Sequence, residues 1–244
     1  MINLANLGHN LVVVFFSIVI VPSLLTIGLS TINRRNKQLI VNYWGVKSQL
    51  WFGGIGVIIH ELSHLMMALL FGHKITQVTL LNVPTPENPT LGSVRHSWNE
   101  QNKYQQLGNF FIGLAPIIGC SLTLLGLSYL LVPGLISSLL ATFTDTINIV
   151  DQNLIWWKMI LFIIISLNIV CGGFDLSRAD LSNAGLGVGL WLLFLLIITL
   201  LLSVIVPTGS WLVIFTNLGW LIGLTLGYSL LLSLVVWLFL KIFS

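Results

Sequence analysis

The chain has 244 residues, of which 56% are hydrophobic and 7% are charged, and its mean hydropathy is +1.00. A soluble domain carries about 25% charged residues, so this composition excludes a water-soluble globule. Too few polar side chains exist to cover a compact body in water, and a lipid bilayer is the expected surrounding. The net charge of +3 is small and scattered, which argues against nucleic acid as a partner.

Six apolar stretches are long enough to cross a membrane, since a helix needs about 20 mostly apolar residues to do so. They are residues 11–32, 51–72, 108–132, 154–170, 184–206 and 211–243. The first stretch is interpreted as a retained span because no Lys or Arg precedes Arg34, unlike in a secretory signal. The sequence therefore predicts an all-α polytopic membrane protein that forms a single membrane domain over residues 1–244.

Two polar connections interrupt the apolar stretches. The first, residues 73–106, contains two β-prone runs, 75–83 and 91–98, separated by three prolines, and predicts a small β-hairpin between the second and third spans. The second, residues 171–183, holds Asp175 and Asp180. Six single crossings would place both connections on the same side of the membrane, so we expect their residues to meet.

The positive charges give a weak indication of orientation. Arg34, Arg35, Lys37 and Lys47 are expected in one short loop, and the excess of basic residues in cytoplasmic loops would place that loop in the cytoplasm. The hairpin would then lie outside. The opposite side also carries four basic residues, namely Lys74, Arg95, Lys103 and Arg178.

The second span contains the sequence His60-Glu61-Leu62-Ser63-His64. Residues four apart on a helix lie on one face, about 5–6 Å apart at Cβ, so both imidazoles can bind one zinc ion at about 2.0–2.1 Å. Glu61 lies at the flank of the histidine pair, where it can accept a proton from water rather than bind the metal. This spacing predicts a metal site with Glu61 as its general base.

The apolar context strengthens that prediction. A five-residue match with two free positions also arises by chance in soluble proteins. Placing a Glu at the centre of a spanning helix costs on the order of 3 kcal/mol, however, so ionisable groups at that depth are functional candidates. A divalent cation would offset the cost of three such groups within five positions.

A zinc site needs a third protein ligand, and the candidates are His73, His96, Cys171, Asp175 and Asp180. His73 lies too far along the helix from His64 to converge on the same ion. A carboxylate from the second connection has the better geometry, and Asp180 is favoured over Asp175.

Both aspartates also have purely structural interpretations. Asp180 could close a capping box with Ser177 at the start of a helix, and Asp175 could form an ion pair with Arg178. Asn168, near the end of the fourth span, could contact a substrate or a zinc ligand, or form an interhelical hydrogen bond. Three glycines before the histidine pair, Gly53, Gly54 and Gly56, are expected to allow close helix packing.

The chain resembles the site-2 protease family of intramembrane zinc metallopeptidases, and in particular a compact bacterial branch. The resemblance rests on residues 60–64, 92–96, 104–116 and 176–181 and covers about residues 53–184. It implies a catalytic core over about 51–184 with a hairpin insertion at 73–106, one Zn²⁺ per chain, His60, His64 and Asp180 as ligands, and Glu61 as the base. It also implies a multi-pass protein of a bacterial plasma membrane whose site faces the cytosol, opposite to the charge interpretation.

The function that follows is hydrolysis of peptide bonds within or beside the membrane, in a membrane protein or peptide substrate. A strand edge near residues 75–81 could hold the unwound substrate by β-augmentation, and no substrate-binding residue is assigned. The alternative is a non-hydrolytic metal-binding membrane protein, such as a transporter subunit, an immunity protein or a pseudoprotease. The family pattern of a proline-rich stretch ending in Leu-Asp-Gly is absent here, since Asp175 is followed by Leu176.

Overall fold

The computed structural model describes residues 4–135, 155–206 and 210–242. Its elements, in chain order, are α1 (Leu4–Phe15), α2 (Val21–Trp44), α3 (Ser48–Leu70), β1 (Lys74–Thr79), β2 (Ser93–Ser97), α4 (Lys103–Leu131), α5 (Trp156–Gly173), α6 (Arg178–Ile205) and α7 (Leu212–Ile242). A short π-helical segment, Phe16–Ile20, joins α1 to α2 without a break. In the described part of the chain, six helices are long and apolar enough to cross a membrane, so the protein is a multi-pass membrane protein, as predicted.

The first span is longer than predicted. Its helix extends over Asn6–Trp44, whereas the apolar stretch ended at residue 32. Arg34, Arg35 and Lys37 therefore lie on α2 and not in a loop, which corrects the sequence interpretation, and of that group only Lys47 lies in the connection to α3. The predicted boundaries at Leu154 and Phe243 lie outside the described residues.

The predicted hairpin is present, with shorter strands. β1 and β2 are antiparallel, with Lys74 opposite Ser97 and Thr79 opposite Ser93. The hairpin also folds back along α3. Gly92 packs so closely on Glu61 that a Cβ at this glycine would lie 2.6 Å from the Glu61 Cγ atom.

Glycines allow α3 and α5 to pack with their backbones in contact. A Cβ added at Gly56 would lie 2.6 Å from both the Gly173 nitrogen and the Ile169 oxygen, and Gly53 meets Gly172 in the same way. The expectation of close helix packing is thus confirmed for these two glycines.

Asn168 of α5 forms the interhelical hydrogen bonds that were one of its two expected roles. Its Nδ2 donates to the Trp51 carbonyl oxygen at 2.7 Å, and its Oδ1 accepts from the Ile55 N–H at 2.9 Å. These are the two main-chain groups that one helical turn of α3 would join. The amide therefore fixes the register of α5 against α3 one turn before His60.

Helix α4 lies antiparallel to both α3 and α6. Between α3 and α4, Ser63 contacts Gly119 and Phe71 contacts Gly108, so one residue number rises as the other falls. Between α4 and α6, Gly113 contacts Asp180 and Phe110 contacts Gly187, in the same antiparallel order. Helices α3 and α6 thus run in the same direction. Six strictly alternating crossings would make α3 and α6 run in opposite directions. The prediction that alternating crossings place the two polar connections on one side of the membrane is therefore wrong. The two connections nevertheless meet, because Leu91 and Gly172 line one shallow depression.

The main hydrophobic core surrounds the connection between α5 and α6. Its buried members come from α2, α4, α5, α7 and this turn, and they are Leu29, Ile117, Cys120, Leu124, Ile169, Val170, Phe174, Leu176 and Leu226. Phe174 and Leu176 are almost fully buried. Cys120 and Cys171 are buried free thiols.

Two histidines join the hairpin to the start of α4. His73 Nε2 lies 2.9 Å from the Gln105 carbonyl oxygen, and His73 Nδ1 lies 3.0 Å from His96 Nδ1. A carbonyl only accepts, so His73 Nε2–H donates to Gln105 and His96 Nδ1–H donates to His73. Burial lowers the pKa of both rings, that of His96 to about 4.

We predict that substituting Gly56 by Ala destabilises the fold by about 1–3 kcal/mol, because the new methyl group overlaps the α5 backbone. Gly126→Ala in α4 is the matched control, since nothing lies within 4 Å of the position of its Cβ. Denaturant unfolding in detergent measures both. Equal stability of the two variants would contradict the packing of α3 on α5.

We predict that the hairpin loosens in acid. Because the folded-state pKa of His96 lies near 4, below its ordinary value of about 6.5, the unfolded state binds more protons between these values. Stability is therefore full above about pH 6.5 and is lost as the pH falls toward 4. Hydrogen exchange of the Ser93–Ser97 amides, corrected for intrinsic rates, should rise over this interval and rise less in His96→Asn. An unchanged profile would exclude a role for this pair.

Candidate metal centre

The structure brings together the three residues predicted as ligands. The His60 Nε2 and His64 Nε2 atoms are 3.2 Å apart, and the Asp180 carboxylate lies 3.1 Å from His64 Nε2 and 3.8 Å from His60 Nε2. One ligand atom from each residue lies within 4.8 Å of the others. This group could hold a metal ion, and in the described residues no other such group of three is found.

The outer nitrogens of both imidazoles are held by main-chain carbonyls. His60 Nδ1 lies 2.8 Å from the Gly173 oxygen and His64 Nδ1 lies 2.8 Å from the Ile112 oxygen. Since a carbonyl oxygen only accepts, both Nδ1 atoms carry a proton, and in a neutral ring Nε2 then presents a lone pair. Ligands of protein-bound metals are oriented by hydrogen bonds of this kind.

Three electron-rich atoms consequently face one point. When both rings are neutral, two Nε2 lone pairs and the Asp180 carboxylate face one another, and their side chains are only 9–13% exposed. Such acceptors repel one another strongly where the dielectric constant is low. A metal cation at the centre of the group, or a proton on one imidazole, relieves this repulsion.

The spacing suits a zinc ion. Two nitrogen or oxygen ligands about 2.0–2.1 Å from one tetrahedral zinc lie about 3.3–3.4 Å apart, close to the 3.2 Å and 3.1 Å separations here. Two imidazoles and one carboxylate are a donor set that catalytic zinc sites use, with the fourth position left for water. The residues present therefore fit this metal.

Asp180 forms the capping box that its sequence position suggested and also faces the two histidines. It lies in the first turn of α6, where its N–H donates to Ser177 Oγ at 3.1 Å and its Oδ2 accepts from the Ser177 N–H at 2.7 Å. A carboxylate has lone pairs for several partners, so the capping box leaves Oδ1 directed at His64. The cap holds the carboxylate in place and does not compete with the histidines.

Asp175 lies outside the group because its oxygens are already engaged. Its Oδ1 lies 3.1 Å from Arg34 Nε and its Oδ2 lies 3.2 Å from Lys37 Nζ. The expected ion pair with Arg178 is therefore replaced by two pairs with α2. Both partners are more than 130 residues away along the chain, so short sequence spacing gives no sign of them.

Glu61 flanks the histidines without joining them. It is 8% exposed and lies beneath Gly92 of the hairpin. The three-residue group does not include it, nor does the group include the other candidates, His73, His96 and Cys171. The position of Glu61 at the flank agrees with the sequence prediction.

Sequence reasoning missed the two carbonyl groups that orient the imidazoles. Every residue has a carbonyl, so Gly173 and Ile112 carry no signal of this role. Gly173 could be found only by asking which glycine faces Gly56 across the helix interface.

Comparisons of the chain with protein-family models, with curated proteins and with solved structures found no match.

We predict that His60→Ala, His64→Ala and Asp180→Ala each abolish stoichiometric metal binding, because each removes one of three converging donors. His96→Ala and Cys171→Ala, which change two other sequence candidates outside the group, should retain it. Metal content of protein purified in detergent, with chelator competition, measures this. Loss of metal in the second set, or its retention in the first, would show that the ligands are different.

Proposed function

We propose that this protein is an intramembrane zinc metalloprotease that hydrolyses peptide bonds in membrane-embedded or membrane-proximal segments of other proteins. The observation that carries the proposal is the convergence of His60, His64 and Asp180 on one point. The Nδ1–H groups of both imidazoles are bound to main-chain carbonyls, and the buried carboxylate of Glu61 lies beside the group. A simple metal carrier would not need Glu61 at that position. The resemblance to the site-2 protease family supports the same conclusion.

The chemistry divides between the metal and the chain. Bound Zn²⁺ supplies Lewis acidity, which lowers the pKa of water toward 7 and polarises a carbonyl group. Glu61 accepts the proton of the attacking water and returns it to the nitrogen of the leaving amine. Its burial under Gly92 keeps the carboxylate away from bulk water. Gly173 and Ile112 keep both imidazoles in the tautomer that leaves Nε2 unprotonated.

The hairpin provides a way to hold the substrate. A helical substrate hides its carbonyl groups in hydrogen bonds, so it must be unwound before attack. Within the described residues the sheet has only two strands, and each strand keeps one open edge. An extended substrate segment can add to such an edge by β-augmentation, beside the point where Gly92 contacts Glu61.

The same features support a location. The six apolar helices require a bilayer, and we propose the plasma membrane of a bacterium, as the compact branch of the family implies. One zinc ion per chain is proposed because the described residues form one such group.

We predict that Glu61→Gln retains zinc but loses cleavage by about 10²–10⁴-fold, the usual contribution of a general base. Glu100→Gln, which changes an exposed acid in the connection before α4, is the matched control and should cleave as the wild type does. The assay is cleavage of a panel of transmembrane peptides by protein in detergent, with metal content measured in parallel. Full cleavage by Glu61→Gln would contradict the role of Glu61 as the base, whereas zinc binding without cleavage by the wild type would favour the non-hydrolytic metal-binding protein.

A further inference from the structure

The short connection between α5 and α6, residues 174–177, joins two parts of the proposed metal centre. Directly before it, Gly173 at the end of α5 provides the carbonyl that orients His60. Directly after it, the first turn of α6 provides Asp180, which faces both histidines. Any shift of this short connection therefore moves one ligand and releases the orientation of another.

Helix α2 holds the middle of this connection by its side chains. The Asp175 carboxylate accepts from Arg34 Nε at 3.1 Å, from Lys37 Nζ at 3.2 Å and from Ser30 Oγ at 3.3 Å. Its side chain is only 17% exposed, so the two ion pairs are partly withdrawn from water. Partly buried, multiply bonded pairs of this kind fix geometry far better than exposed pairs do.

The same helix also binds the main chain next to Asp175. Arg34 Nη2 donates to the Leu176 carbonyl at 3.2 Å, and the Leu176 N–H donates to Ser30 Oγ at 3.3 Å. Arg34 further donates to Ser30 Oγ at 3.2 Å. Both main-chain groups of Leu176 are thus held, and its side chain is 1% exposed in the core.

Leu176 is followed directly by Ser177, the N-cap of α6, and Ser177 holds the Asp180 carboxylate at 2.7 Å. A continuous series of short bonds consequently runs from α2 through the connection to the ligand. We infer that Ser30, Arg34, Lys37 and Asp175 form a positioning set, which places Asp180 and the Gly173 carbonyl for metal binding. This role rests on the proposed metal centre and is independent of whether the chain hydrolyses peptide bonds.

The test is the affinity of the full chain in detergent for Zn²⁺, measured by chelator competition, together with the optical spectrum of the Co²⁺-substituted protein. Loss of groups that orient metal ligands costs about 10–100-fold in metal affinity, and we expect losses in this range for Asp175→Asn and Arg34→Gln. The Co²⁺ spectrum should change as well, because the ligand geometry changes. Arg34→Lys, which keeps the charge but not the planar fork, should recover part of the affinity.

Arg35→Gln is the matched control. Arg35 is the neighbour of Arg34, is exposed, and carries the same charge. The Arg35→Gln variant should bind both metals as the wild type does. Ser30→Ala removes one hydroxyl group and is the mildest change, so it decides the question if Asp175→Asn fails to fold. Its affinity should fall several-fold, with an unfolding midpoint of the metal-free protein close to that of the wild type.

The outcomes separate the two claims. Wild-type protein that takes up neither metal would overturn the metal centre itself. Wild-type affinity and an unchanged Co²⁺ spectrum in Asp175→Asn and Ser30→Ala, beside metal binding by the wild type, would overturn the positioning role alone. An equal loss in Arg35→Gln would also overturn it, because the effect would then follow from charge and not from the contacts.

Discussion

The mutual repulsion of the Asp180 carboxylate and the Nε2 lone pairs of two neutral imidazoles is the constraint that a metal ion would satisfy in the candidate metal centre. His60 and His64 cannot relieve it by changing tautomer, because each Nδ1–H is committed to a main-chain carbonyl. Asp180 cannot turn away without breaking its capping box. In an apolar surrounding such a group is costly unless a cation lies among its members. The helices α3, α4, α5 and α6 each contribute one part of this arrangement, so the candidate metal centre forms only when these four helices pack together.

Glycines make that packing possible at the points where carbonyl and ligand must come close. Gly56 allows the end of α5 to approach α3, and this places the Gly173 oxygen within reach of His60. Gly113 does the same for the start of α6, which brings Asp180 toward the turn of α4 that carries the Ile112 oxygen. In the hairpin, Gly92 leaves room for the Glu61 carboxylate. Each of these glycines thus makes room at a point of the candidate site.

The sequence predicts what depends on composition and short spacing. Hydropathy finds the six spans, helical periodicity pairs His60 with His64, and elimination favours Asp180. The partners of Asp175 could not be predicted in this way, because Arg34 and Lys37 are distant in the chain and were expected in a loop that is in fact helical. The direction of α6 relative to α3 depends on packing against α4, which no periodicity reveals. The capping box and the place beside the histidines were alternative interpretations of Asp180, although one carboxylate makes both contacts.

The most direct test of this account is X-ray absorption at the zinc edge of the full chain, purified in detergent without chelators. The account predicts one zinc per chain with a first shell of nitrogen and oxygen atoms at about 2.0–2.2 Å, of which two are imidazoles, and no sulfur at about 2.3 Å. A shell containing sulfur would contradict the assignment of His60, His64 and Asp180. Protein that holds no zinc and takes none up would contradict the central claim that a cation balances these three groups.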